Sequence, residues 1–339
     1  MKINKLIQEP VITSKTIQKT SGNEINSDKV QFSTGGIDGT IANIDTLKKL
    51  STNRTEELKK VMEPDRPVCE NTSLWDNYVE NSMMFASLFS NTPIDVKTLS
   101  IAHRGGAEFR PENTIASFQN AIKLRSDYVE LDVHLSKDGY PVVIHDSTLE
   151  RTTDGTGNVK DKTLDELKKL DCGSWFSEEF RGEKIPTLEE VLDLAKGRTG
   201  VVIEIKNDKD LQDGIEDKII KTVREKDMVK DVIIISFNKD RIKKINDLDG
   251  TIDTGLLYGG NIPDICEMAL ATGIDYICPY WKNVNEDIIE KAHSCDLKVN
   301  IWTVNEASLM KKFTEMGVDG IITDRPDLLL EEHENSSTQ

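Results

Sequence analysis

The chain has 339 residues, 37% of them hydrophobic and 30% charged, with a formal net charge of −17. That length can bury one large core, or one domain with a smaller companion. The acidic residues are spread along the chain, which argues against a nucleic-acid backbone or an anionic membrane surface as the main partner. An anionic substrate would need a metal or local cations to offset this field. The five cysteines (Cys69, Cys172, Cys266, Cys278 and Cys295) have no C-x-x-C spacing, so neither a disulfide framework nor a zinc site is expected. Residues 1–30 carry no apolar h-region and no run approaches 18 apolar residues. Neither a signal peptide nor a transmembrane segment is expected, and the expected location is cytoplasmic.

Residues 1–96 read as a polar, partly helical N-terminal extension. Ile44 to Met62 predicts an amphipathic helix. Ile44, Ser51 and Leu58 at one heptad position and Leu47, Arg54 and Val61 at the other leave four of six seam positions apolar, a weak coiled-coil pattern. The stretch "LWDNYVENSMMFASLF" (74–89) is apolar enough to need a partner surface. The extension is therefore a candidate segment for homo-oligomerisation or for attachment to a larger assembly.

From residue 97 to 332 the pattern becomes regular, with 333–339 left as a tail. Short β-rich runs alternate with helical ones: "LSIAHRG" with "ENTIASFQNAIKL", "GVVIEIK" with "DGIEDKIIKTVREK", then "DVIIISFN", "TGLLYG", "DYICPYW", "LKVNIWTVN" and "GIITDRP" with helices between. Apolar strands alternating with amphipathic helices indicate a parallel sheet covered by helices. This extent fits a (β/α)8 TIM barrel. A doubly wound open sheet is the alternative, but no G-x-G-x-x-G follows an early strand. Nine candidate strands compete for eight places. The ambiguous pair is "YVELDVHLS" (128–136) and "PVVIHD" (141–146), joined through "KDGY". A parallel crossover normally needs a dozen residues, so a local hairpin is the other option.

In a barrel, active residues sit at the carboxyl ends of strands. Those ends read His103-Arg104, Glu130-x-Asp132, His145-Asp146, Glu204-x-Lys206, Ser236-Phe237, Tyr280-Trp281, Trp302-x-x-Asn305 and Asp324-Arg325. Glu130 and Asp132 are two apart on a strand and share a face. With Glu204 they can form a three-carboxylate, all-oxygen site suited to Ca²⁺ or Mg²⁺. The bland alternative is that they cap a helix or pair with Arg104 and Lys206. His103 and His145 suit general acid and base work on a phosphodiester. His134 shares the parity of Asp132, and either joins the rim or lies past the strand end in solvent. Arg104 offers a planar fork and Lys206 a point charge for phosphoryl oxygens. Glu112 and Asn113 are expected to cap the following helix and brace the rim.

The runs "AHRGGAEFRPENT", "VELDVHLSKDGYPVVIHDSTLERTTDGTG", "LDCGSWFSEEFRGEKIPTLEEVL", "IEIK", "IWTVNE" and "GVDGIITDRPDLL" resemble, in order over about 99–330, the glycerophosphodiester phosphodiesterases. The resemblance implies a (β/α)8 barrel that splits a glycerophosphodiester into sn-glycerol 3-phosphate and an alcohol. It implies His103 and His145 as the acid–base pair, Glu130, Asp132 and Glu204 as ligands of one divalent cation, and Arg104 and Lys206 as phosphate contacts. Phe237 and Trp302 would line the side that receives the glycerol or head group. A glycerol hydroxyl acting as internal nucleophile through a cyclic phosphate is a further implication. Arg110 departs from the pattern, standing where a small residue is common. The distance from His145 to Glu204 leaves room for a short cap only.

Rival substrates for the same chemistry are lysophospholipids, sphingomyelin and the poly(glycerol phosphate) of teichoic acid. The last would suit a wall-degrading component of a phage tail, virion-associated through residues 1–96. A rival of another class is a module that binds glycerol-phosphate polymer without cleaving it. A phosphosugar isomerase barrel lacks the glycine-rich loop such phosphate sites use near the last strands.

Overall fold

A computed structural model of the protein describes residues 29–34, 37–42, 97–206, 214–260 and 264–336. The chain divides into two units, Met1–Asp95 and Val96–Gln339. The helix expected over 44–62 and the apolar stretch 74–89 lie outside the described residues. Within the first unit, β1 (Lys29–Thr34) and β2 (Ile37–Ala42) pair antiparallel, from Lys29 opposite Ala42 to Thr34 opposite Ile37. The polar composition of this stretch hid the hairpin. Only Val30 and Phe32 supply an apolar alternation in the first strand, while Gly35-Gly36 is the dipeptide type that two-residue hairpin connections favour.

The second unit carries β3 (Leu99–Ala102), β4 (Tyr128–Leu135), β5 (Pro141–Val143), β6 (Gly200–Ile205), β7 (Val232–Ser236), β8 (Asp253–Tyr258), β9 (Tyr276–Pro279), β10 (Lys298–Ile301) and β11 (Gly320–Thr323). Eight of these form a ring in the order β3-β11-β10-β9-β8-β7-β6-β4, closed by the β3–β4 pairing. Every pair around it is parallel. This is the expected (β/α)8 barrel. The ninth candidate, β5, stands outside the ring and pairs antiparallel with β4, Val133 opposite Val143 and Leu135 opposite Pro141. The hairpin option was therefore correct. The five residues from Ser136 to Tyr140 are too few for a crossover, and Gly139 turns the chain with φ of +82°.

Strand parity sorts the side chains into two layers. Ile101, Val202, Ile233, Ile235, Leu257, Tyr276, Cys278 and Ile322 form a cluster inside the barrel. The alternate residues, among them Val129, Leu131, Val133, Val201, Ile203 and Ile234, pack outward under the helices. Those helices are α1 (Ile115–Leu124), the short α2 (Leu164–Leu167), α3 (Leu188–Ala195), α4 (Ile215–Glu225), α5 (Lys239–Leu248), α6 (Ile265–Thr272), α7 (Glu286–His293), α8 (Ala307–Glu315) and α9 (Pro326–Ser336). Thr114, Thr163 and Thr187 close reciprocal capping boxes at α1, α2 and α3, while Asn238, Asp264 and Asn285 cap α5, α6 and α7. Each box satisfies amide groups that a helix start leaves unpaired.

Between His145 and α3, residues 147–186 fold into a small cap. Val142, Ile144, Leu149, Val159, Leu167, Cys172 and Ile185 give it a hydrophobic cluster separate from both barrel layers. Arg110 reaches it, its guanidinium 5.2 Å from the Phe180 ring centroid. Among the described residues one pair of cysteines is bridged, which is not a framework. Cys266 on α6 and Cys295 just after α7 form a disulfide, Cα atoms 5.7 Å apart. Their separation of 29 residues carries no spacing signal; adjacency of the two helices brings them together. Cys172 and Cys278 are free and buried.

Candidate active site

Following the inner parity along each strand, and past its end in several, leads to the ionisable and aromatic residues. Ile101 is followed by His103, Tyr128 by Glu130 and Asp132, Val202 by Glu204 and Lys206, Ile235 by Phe237, Asn300 by Trp302, and Ile322 by Asp324. His145 arrives by another route, two residues beyond β5 and hence beside β4. The result is one open cleft of about 130 Å³ lined by His103, Arg104, Glu130, His145, Glu204, Lys206, Phe237 and Trp302. Asp132 lies beneath it, fully buried.

The carboxylates form the floor. Glu130, Asp132 and Glu204 are 2%, 0% and 9% exposed, with one oxygen from each within 4.8 Å of the others. Burial first, then the charge of Asp132, pushes the Glu130 carboxyl up to about 8. Burial and the same charge also raise Glu204. Burial works against the charge of Asp132 too, but Lys206, Arg104 and His145 outweigh it and hold Asp132 well below the usual carboxylate range. Oδ1 of Asp132 is buried with no hydrogen-bond partner; its nearest cation is Lys206 Nζ at 3.3 Å. Three desolvated carboxylates, two driven toward protonation and one with an unserved oxygen, fit a hard cation. The chain's own cations serve the cluster in part: Lys206 Nζ stands 2.8 Å from Glu204 and Arg104 Nε 3.4 Å from Asp132.

Backbone geometry around Arg104 is unusual. Arg104 has φ of +50° and Gly105 φ of +86°, and this turn lets the Arg104 amide donate to Glu130 Oε2 at 2.9 Å. A Cβ on Gly105 would sit 2.3 Å from Ser117 Oγ, so the close approach of α1 requires glycine there. Asn113, also left-handed at φ +59°, locks Asp132 from both sides. Its Nδ2 donates to Oδ2 at 2.8 Å and its Oδ1 accepts from the Asp132 amide at 3.3 Å. Glu112 and Asn113 thus brace the rim, as expected, but the helix cap itself is Thr114. A left-handed residue cannot be the extended N-cap, which is why that half of the expectation failed.

Each imidazole is anchored on a carboxylate. His103 Nδ1 lies 2.6 Å from Asp324 Oδ1, and Asp324 is fixed in turn by Asn305, whose Nδ2 donates to Oδ2 while Oδ1 accepts from the Asp324 amide. His145 Nδ1 lies 2.7 Å from Asp146 Oδ1. With Nδ1–H donating, Nε2 is in both cases the ring nitrogen that carries the lone pair. Burial lowers the His103 pKa, but the Asp324 hydrogen bond and the charge of Glu130 outweigh it and leave it raised. For His145 burial prevails, with Lys206 and Arg104 adding to it against the pull of Asp132, and the pKa is lowered. His134 is neither on the rim nor in solvent. It is 2% exposed, with Nε2 3.0 Å from the His145 carbonyl. Asp146, Asn305 and Asp324 figured in the sequence only as strand-end groups, and Arg151, whose guanidinium grips Asp146 and Glu112, carried no signal.

The opposite wall is aromatic. Phe237 and Tyr280 stand against Trp302 with ring centroids 5.5 and 5.4 Å away, and Trp302 Nε1 donates to the Cys278 carbonyl at 2.7 Å. Phe237 is 42% exposed, so it presents an apolar face to whatever enters. The cleft is charged on one side and apolar on the other.

Two carboxylate-bound imidazoles and two cationic side chains share this cleft, and the chain is a phosphoric diester hydrolase on a TIM barrel. It matches the glycerophosphoryl diester phosphodiesterase family over residues 103–328 and belongs to that family. A glycerophosphodiester phosphodiesterase of Caldanaerobacter subterraneus subsp. tengcongensis is 44% identical over 236 residues, covering 69% of this chain and 97% of the relative. One from Bacillus subtilis is 36% identical over 250 residues, 68% and 85% of the two chains. Among solved structures, an Oleispira antarctica phosphodiesterase in complex with the product sn-glycerol-3-phosphate superposes with a TM-score of 0.66 at 29% identity, covering 70% of this chain and 96% of that one.

Proposed function

We propose that the protein hydrolyses small glycerophosphodiesters to sn-glycerol 3-phosphate and an alcohol. The observation that carries this reading is the placement of two carboxylate-anchored histidines, His103 and His145, on the same cleft as the carboxylate cluster. One ring accepts a proton from the attacking oxygen, and the other donates one to the leaving oxygen. Arg104 and Lys206 bind the phosphoryl oxygens, the local positive charge that a strongly acidic chain needs to accept an anionic substrate. Phe237 and Trp302 receive the carbon skeleton of the glycerol or head group. Glu130, Asp132 and Glu204 hold one divalent cation, Ca²⁺ or Mg²⁺, whose chemistry when bound is polarisation of a phosphoryl oxygen. The product complex of the Oleispira antarctica relative supports a glycerol-phosphate ligand for this cleft.

The test is glycerol 3-phosphate release from glycerophosphocholine, with and without EDTA, by the wild type and by His103→Ala and His145→Ala. Chelator-sensitive release is expected, with each histidine variant slowed by about 10²- to 10⁴-fold. Separate add-back of Ca²⁺ and Mg²⁺ identifies the cation. Undiminished release by both variants would remove the histidines from the chemistry. Release from poly(glycerol phosphate) alone would transfer the reading to the polymer.

A further inference from the structure

Arg151 belongs to the cap and does not line the cleft, yet it contacts the carboxylates that hold two of the cleft's side chains. Its Nε donates to Asp146 Oδ2 at 2.7 Å and its Nη2 to Asp146 Oδ1 at 3.0 Å. Its Nη1 and Nη2 donate to Glu112 Oε2 and Oε1, both at 2.8 Å. Asp146 Oδ1 carries His145 Nδ1 at 2.7 Å, and Glu112 Oε1 carries Arg104 Nη1 at 2.9 Å. The chain of contacts runs His145–Asp146–Arg151–Glu112–Arg104, with charges alternating from Asp146 onward.

We propose that Arg151 is a positioning residue that sets His145 and Arg104 in a common register by clamping Asp146 and Glu112 at once. The proposal rests on the roles given above to His145 and Arg104. A carboxylate with one oxygen on an imidazole could still swing about its own torsion; one that also meets a planar guanidinium through both oxygens cannot. Only an arginine can do this for two carboxylates together, because its five N–H groups lie in one plane while a lysine offers a single nitrogen. Arg151 is 42% exposed but its partner Glu112 only 10%, so losing the clamp has a cost in stability as well. A purely structural role would show in the melting temperature alone and leave the kcat and KM of the folded protein unchanged.

The experiment measures kcat and KM for glycerophosphocholine, with Mg²⁺ present, in Arg151→Ala, Arg151→Lys, His145→Ala and the Arg151→Ala/His145→Ala double variant, alongside thermal melting. For Arg151→Ala, kcat is expected to fall about 100-fold, the scale of a small misplacement of catalytic groups. KM should rise as Arg104 loosens, with the melting temperature held within a few degrees. Arg151→Lys keeps the charge and should recover only part of the rate, and it carries the test if the alanine variant does not fold. Because Arg151 acts on kcat through His145 and on KM through Arg104, the double variant should have a kcat close to that of His145→Ala alone, with KM raised as in Arg151→Ala. Wild-type kcat and KM in Arg151→Ala, or full recovery in Arg151→Lys, would overturn the clamp while leaving the function reading intact, provided His145→Ala is impaired. An active His145→Ala would instead overturn the function reading and the clamp together.

Discussion

At the scale of single residues, His103 depends on a partner 221 positions away. Asp324 sits one residue past β11, and only the pairing of β11 with β3 places it beside the imidazole. The sequence shows Asp324 as one more acidic group at a strand end, because nothing in a linear chain says which strands are neighbours across the seam. The same limit hides Arg151, whose two carboxylate partners lie 5 and 39 positions away. By contrast, Glu130, Asp132, Glu204 and Lys206 can be read from parity alone, since each continues the inner face of its own strand. Removing the anchor of His103 is expected to cost turnover more than binding. Asp324→Ala should lower kcat by roughly 100-fold with KM little changed, and Asp324→Asn, which keeps an acceptor oxygen, should lose less. Steady-state kinetics of the two variants against glycerophosphocholine decide it; an unaltered kcat in Asp324→Ala would show that His103 needs no orienting carboxylate.

At the scale of elements, the alternation of apolar strands and amphipathic helices made the barrel legible from residue 99 onward. Two features escaped it for different reasons. The β4–β5 connection was ambiguous because a three-residue strand, Pro141–Val143, has too little sequence to declare its direction. The β1–β2 hairpin was missed because its residues leave a thin apolar pattern, Val30 and Phe32 in the first strand. The cap was legible only as a length. Its cohesion comes from a cluster that includes Leu149, Leu167 and Ile185, all essentially fully buried. Leu167→Ala should therefore cost about 2–5 kcal/mol, and the loss should be local. Hydrogen exchange is expected to accelerate across residues 147–186 while β6 and β7 keep their protection. Equal acceleration in the barrel strands would mean that cap and barrel unfold as one unit.

At the scale of the whole molecule, an acidic chain concentrates three carboxylates at the centre of its catalytic face. Glu130 and Glu204 are raised, chiefly by burial. A raised carboxyl keeps its proton in the folded state while the unfolded chain has lost it. Its contribution to stability is thus complete below the ordinary carboxylate range and declines as pH rises, for Glu130 up to about 8. A divalent cation in the cluster reverses that decline, since it binds the deprotonated form, and at about 100 times its Kd it adds roughly 2.7 kcal/mol. The gap in melting temperature between Mg²⁺-loaded and EDTA-treated protein should therefore widen from pH 5 to pH 8.5. A gap absent or constant over that range would argue that no cation occupies these carboxylates.

The strand β5 belongs to two hydrophobic masses at once. Val142 and Ile144 face the cap cluster, Val143 faces the barrel layer, and His145 follows directly. In evolutionary terms this divides the labour by residue parity. Changes at Val142 or Ile144 act on the packing of the cap, whereas changes at Val143 act on the packing of the barrel. The two packings can therefore vary independently along one short strand.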